Sequence, residues 1–233
     1  HDGHHIESHV GHHAICRPQL LLVRRATRRR TFAMKKPSSR AEQKEQTHQR
    51  IVAAAARQFR EQGLGGVGVQ RIMKEAGLTH GGFYTHFGSK TDLAAEAVAL
   101  AMKTAQEQWL EGADFLRGPG GTRRMLEVYL NRAHRDDPGA GCPLPSTSAD
   151  VARSTPAVRR AYATELRKII ESLERRLEDP EDEEAHQRAV GAMALCVGGL
   201  LLARAVDDDA LSDDIMRACR EFGAGLPTDS ERR

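Results

Sequence analysis

The chain has 233 residues, 39% of them hydrophobic, and a net charge of +3. That length can bury a core in one or two small domains. No run of about eighteen apolar residues is present, so no membrane span is expected. The four cysteines, Cys16, Cys142, Cys196 and Cys219, are far apart, with no C-x-x-C and no histidine at metal spacing. That usage excludes a disulfide framework and a zinc site and suits a cytoplasmic protein, with neither metal nor cofactor expected.

Charge is unevenly spread. Residues 1–33 hold six Arg and two acids, residues 34–90 ten Lys/Arg and four Glu, and residues 91–233 nineteen basic against twenty-six acidic residues. A basic first half on an acidic second half suits an anionic partner at the N-terminal side. An unevenly solvated surface would have the same composition.

Residues 1–33 carry six of the eleven His and an Arg cluster but no folding pattern. They read as a leader with Met34 as the natural start, a His-rich metal tract and an Arg-rich arm being the alternatives. Residues 1–43 are expected to be a disordered leader and basic tail. Lys35, Lys36, Arg40 and Lys44 form either an arm along a nucleic acid or a solvated tail.

A helix is predicted over 47–62, with Ile51, Val52, Ala55 and Phe59 at helical spacing and Gly63 ending it. Gly63-Leu-Gly-Gly-Val-Gly68 matches G-x-G-x-x-G, but a helix precedes it and nothing nearby is strand-like. It therefore reads as an interhelical turn rather than a dinucleotide loop. Val69, Ile72, Met73 and Ala76 predict a second, short helix that stops at Gly77. In the stretch 79–90, Phe83 and Phe87 share one helical face and Thr79 stands at an N-cap position. Ser89 with Asp92 three residues on starts the next helix. Two short helices joined by a glycine-containing turn over about 68–87 are the helix-turn-helix pattern.

A long helix is expected from Lys90 to about Leu116, another over about 122–133, and a proline-containing loop over 134–148. After a short helical turn at 150–153, a helix opens at Pro156. An acidic linker at 179–184 precedes a largely apolar helix over 184–206, and a last helix covers 212–222. With no alternating strand pattern, the fold is expected to be all-α, with about nine helices.

The spacing Val69, Ile72, Ala76-Gly77, Gly81, Tyr84, His86-Phe87 and Lys90 resembles the TetR family of bacterial transcriptional regulators. Upstream, Ile51, Ala54-Ala55, Phe59 and Gly63 fit the first helix of that family. The motif match covers about 47–100, and beyond it the likeness is one of architecture. The resemblance implies a DNA-binding domain over 44–104 and a regulatory and dimerisation domain over 105–226. It implies a homodimer, through the helices at 184–206 and 212–222, that binds a palindromic double-stranded operator and usually represses. It also implies a small-molecule effector whose binding shifts the helix that starts at Lys90.

Within that frame, Tyr84 and His86 are candidate phosphate contacts and Lys90 a phosphate ion pair. The plain alternative makes Tyr84 a core ring with a wet hydroxyl. Thr79, His80, Gly81 and Thr85 are candidates for base edges, since the first residues of a recognition helix read the groove, and Gln70 for backbone or base. Trp109, Met125, Tyr129 and Cys142 are candidate ligand contacts or plain core. Cys142 raises a second reading, a thiol-responsive regulator. A sequence-tolerant DNA architectural protein is a third. No G-x-S-x-G, H-E-x-x-H or P-loop lysine supports an enzyme.

Overall fold

A computed structural model describes residues 39–110, 113–118, 120–177 and 184–225. Among these residues the fold is all-α, with no strand and nine α-helices. The helices are α1 (Arg40–Gln62), α2 (Val69–Glu75), α3 (Lys90–Trp109), α4 (Gly121–Tyr129), α5 (Arg132–Asp136), α6 (Leu144–Ala152), α7 (Pro156–Glu174), α8 (Ala185–Ala205) and α9 (Asp209–Ala224). Short 3-10 turns at His80–Thr85 and Asp114–Leu116 complete it.

The first helix begins seven residues earlier than its apolar stripe suggests. Ser39 and Glu42 form a capping box, with the Ser39 hydroxyl accepting from the Glu42 N–H and the Glu42 carboxylate from the Ser39 N–H. Arg40 and Lys44 therefore lie on a helix rather than in a basic tail. The leader, Met34, Lys35 and Lys36 lie outside the described residues. The expected stripe holds, since Ile51, Val52, Ala55 and Phe59 are all buried.

Gly77 ends α2 as expected. Its φ of 69° is the left-handed conformation that suits glycine. The Leu78 N–H bonds the Met73 carbonyl and the Gly77 N–H the Lys74 carbonyl, a Schellman ending. Arg50 of α1 donates to the Ala76 carbonyl, while Arg57 and Gln58 hold Glu75. Helix α2 is thus fixed to α1 at its C-terminal end.

Two expected helices are shorter or divided. Helix α3 stops at Trp109, not Leu116. The helix predicted over 122–133 breaks at Leu130, where Asn131 accepts from the His134 N–H and starts α5. The predicted loop over 134–148 contains most of α5 and the start of α6. Pro143 and Pro145 initiate α6 because the first turn of a helix needs no N–H donors there. The acidic linker falls mainly on residues outside those described.

Helix α3 runs through the core. It packs on α1 at one end and along α7 at the other, while α8 packs on α7 and α9. The domain boundary expected near residue 104 falls inside this continuous helix. By length and composition α8 is long and apolar enough to cross a bilayer, despite the interruption at Gly198-Gly199. In the fold its inner face is core, with Ala189, Ala192, Cys196 and Leu200 buried.

Candidate nucleic-acid interface and apolar pocket

The segment after Gly77 is held from behind. Phe83 and Phe87 are 1% and 4% exposed, and their rings stack at 5.6 Å. Each such burial contributes about 2 kcal/mol. Between them the backbone forms a 3-10 turn rather than the expected α-helix, in keeping with the low helix propensity of Gly81-Gly82. Thr79 stands at the N-cap, without a side-chain cap bond.

The front of this turn is polar and open. Gln70, Thr79, His80, Gly81 and Thr85 are exposed. Nothing lies within 4 Å of the position a Gly81 Cβ would take, so the backbone there is open to a close partner. Tyr84 is 69% exposed, its ring packed edge-on against Phe83. It is therefore not a core ring. The Thr85 hydroxyl donates back to the Gly82 carbonyl at 2.6 Å.

His86 and Lys90 are set differently from the other candidates. The His86 Nδ1 is buried without a hydrogen-bond partner, and desolvation, with His48 and Lys44 nearby, lowers its pKa. The ring is thus a neutral group at the edge of the site. His48 stacks on Phe87 at 4.4 Å and pairs with Glu96 of α3. Lys90 donates from Nζ to the Leu64 carbonyl at 2.7 Å. It therefore clasps the turn between α1 and α2, with two further N–H donors on its ammonium. Arg71 and Lys74 are cations on the exposed side of α2 that the sequence reading passed over. Their place opposite the buried Ile72 and Met73 was the available signal.

The G-x-G-x-x-G stretch is the interhelical turn expected. It is gripped from two sides. Lys90 holds Leu64, and the Asp150 carboxylate of α6 accepts from the Gly65 N–H at 3.1 Å. Near it, Arg60 at the end of α1 donates from Nε to the Gly139 carbonyl at 2.9 Å.

The four candidate ligand contacts come together. Trp109, Met125, Tyr129 and Cys142 line one apolar cavity of about 50 Å³, with Leu144 and Leu173 among its other walls. Trp109 and Tyr129 lie 5.7 Å apart, and His134, which the sequence reading left unassigned, packs on both rings. His134 Nδ1 bonds the Tyr129 carbonyl at 2.8 Å, and its Nε2 accepts from the Cys142 N–H at 3.0 Å. A neutral ring with its proton on Nδ1 satisfies both bonds. Burial lowers its pKa to about 4. Gly141 makes this possible, because a Cβ there would lie 2.6 Å from the His134 ring.

Burial raises the pKa of the Cys142 thiol. That opposes thiolate formation and the reactivity that depends on it. A larger groove of about 490 Å³ lies between α5 and α9, but it is open and lined by charged residues that include the Arg132–Asp213 and Arg217–Asp214 pairs. Among the described residues no cluster of His, Cys, Asp and Glu could hold a metal ion.

Residues 51–97 match the family described as bacterial regulatory proteins, tetR family. The chain is similar to the HTH-type transcriptional regulator LmrA of Bacillus subtilis, 25% identical over 161 residues that cover 67% of this chain and 86% of that protein. It is 36% identical over 87 residues to the HTH-type transcriptional regulator AcrR of Shigella flexneri, covering 37% of this chain and 40% of that one. The fold resembles that of a TetR-family transcriptional regulator from Cytophaga hutchinsonii, with a TM-score of 0.61, 23% identity, and coverage of 80% of this chain and 98% of the other.

Proposed function

We propose that the chain is a TetR-family DNA-binding transcriptional regulator, as the match over residues 51–97 and the two similar regulators support, and that it is a cytoplasmic repressor, released from a palindromic operator by a small molecule bound in the cavity at Tyr129. Residues 44–104 form the DNA-binding domain and 105–226 the regulatory and dimerisation domain. Thr79, His80, Gly81 and Thr85 read base edges, with Gln70 beside them. Tyr84 and Lys90 hold phosphate, and His86 contributes a neutral donor at the rim. Trp109, Met125, Tyr129 and Cys142 meet the effector.

The observation that carries this reading is the short span from the cavity to α1. Cys142 lines the cavity, and three residues earlier Gly139 accepts from Arg60. From α6, Asp150 grips the turn that precedes α2. A ligand that moves the 139–144 segment thereby acts on the support of the helix-turn-helix, in addition to any shift of α3.

Two copies associate through α8 and α9. Helix α8 is apolar on all sides, a composition that suits burial on all sides. Its outer residues Leu201 and Leu202 are nevertheless 45% and 57% exposed, and Phe222 of α9 is 67% exposed. A second copy related by a twofold axis covers such a face and places two recognition turns on one duplex.

Binding to the DNA upstream of its own gene, compared with random DNA at fixed salt, tests the reading. Site preference of about a thousandfold is expected of a specific regulator. Equal affinity for both would favour the architectural alternative.

A further inference from the structure

We propose that the cavity selects a compact, neutral, mainly aromatic molecule with one hydrogen-bond acceptor, and that the Tyr129 hydroxyl is the group that reads the acceptor. This rests on the ligand-release reading and specifies its effector.

The lining is almost wholly apolar. Leu116, Met125, Leu144, Leu173 and Met193 contribute hydrocarbon and thioether, and among the described residues no charged side chain lines the space. An anionic ligand would bury its charge without a partner, which is strongly unfavourable. His134 supplies none, since both of its nitrogens are already bonded and its ring is neutral. Arg204 is not among the lining residues; it donates to the His134 and Arg135 carbonyls, and its charge is felt at Tyr129 and Cys142.

Within this apolar space one polar atom is left over. Tyr129 is 6% exposed, and its hydroxyl has no oxygen or nitrogen partner among the described residues, its one hydrogen bond running to sulfur. Its polar neighbour is the buried Cys142 thiol, a weak acceptor. Burial holds the phenol in its protonated, donating form. A buried hydroxyl satisfied only by a weak sulfur acceptor keeps part of its desolvation penalty, and a ligand oxygen removes that penalty. A ligand without an acceptor leaves it in place.

Shape favours an aromatic ring. Trp109, Phe115 and Tyr129 surround the space, with Met125, Met193 and the Cys142 sulfur between them. Rings and soft sulfur pack well on an aromatic guest. The volume of about 50 Å³ is roughly a third of an apolar cavity known to hold benzene. Entry therefore requires the flexible methionines and Phe115 to move. Phe115 is 44% exposed on the short Asp114–Leu116 turn and forms the outer wall.

The test is calorimetric titration of the full chain, without DNA, with acetophenone, ethylbenzene and benzoate. Trp109 is the only tryptophan, so its fluorescence places any binding at this cavity. Acetophenone is expected to bind about 3- to 10-fold tighter than ethylbenzene, and benzoate not at all. Tyr129→Phe should bring acetophenone and ethylbenzene to equal affinity while unfolding at the same or a higher temperature. Should that variant fail to fold, the order of the three probes on the unaltered chain still decides. Benzoate binding as well as acetophenone, a preference that survives Tyr129→Phe, or no binding by any probe would overturn the proposal. Release is scored separately. Probes that bind in the expected order but leave the operator occupied would count against ligand release, not against this selectivity.

Discussion

Arg60 and Gly139 join the end of α1 to the segment that leads into the apolar cavity. The Arg60 Nε at the end of α1 donates to the Gly139 carbonyl at 2.9 Å, and Gly139 lies three residues before a wall of the cavity. Arg60 is partly buried and its pKa is lowered, first by desolvation. It still remains charged at any physiological pH. Arg60→Met keeps the packing of the side chain and removes the donor. Operator affinity should stay within about twofold, while the effector concentration needed for release should rise at least tenfold, on the order of one charged hydrogen bond. Operator anisotropy with and without effector checks this, and unchanged release would remove the link from the mechanism.

Tyr84 and Lys90 separate contact from support. Tyr84→Ala should weaken binding to specific and random DNA alike and leave thermal stability unchanged, because the side chain is 69% exposed. Lys90 also holds the Leu64 carbonyl. Lys90→Met should therefore lower stability by about 1 kcal/mol, and it should reduce the slope of log affinity against log salt by about 0.9. A lower melting temperature with an unchanged salt slope would assign Lys90 to the turn alone.

His134 gives the fold an acid limit. Its pKa is about 4 in the folded chain against an ordinary value of 6.5. Above pH 6.5 the ring is neutral in both states, and stability is unaffected. Between 6.5 and 4 the unfolded chain takes up a proton that the folded chain does not, so stability falls with pH. The loss is complete below about 4 and amounts to on the order of 3 kcal/mol. Chemical denaturation from pH 7.5 to 4.5 should show this slope, and His134→Gln should flatten it. An equally steep slope in the variant would place the acid sensitivity elsewhere.

Leu202 tests association. It is 57% exposed on α8, and a charge there would be desolvated in a dimer. Leu202→Glu should shift the chain from dimer to monomer at micromolar concentration in sedimentation while leaving its helicity intact. A chain that is monomeric without the substitution would contradict the twofold assembly.

Much of this architecture is legible in the sequence, for physical reasons that vary by element. The stripe Ile51, Val52, Ala55 and Phe59 has one period and one buried face, so periodicity finds it. The start of that helix does not follow from apolar spacing, because Ser39 and Glu42 set it through polar bonds. The same holds for α5, whose origin is the Asn131 side chain, and for α6, where two prolines suggest a loop yet serve as a helix start. Trp109, Met125 and Tyr129 stand out by their size and helix position, and Cys142 by its reactive thiol on the loop before α6. His134 does not, since its role depends on the loop after α5 folding back to bring Gly141 and the Cys142 N–H onto its ring. Lys90 shows a further limit. A lysine at a helix start suggests an external anion, while its internal carbonyl partner lies 26 residues away and has no local signature.

The recognition turn combines a rigid back with a front that carries little of the fold. Phe83 and Phe87 fix its position from the inner side, while Thr79, His80, Gly81 and Thr85 are exposed. On the proposed roles, substitutions at the outward positions change which DNA is read without first destabilising the domain. On that reading, a few changes neutral to stability redirect the turn to new sites while the cavity around Tyr129 stays as it is.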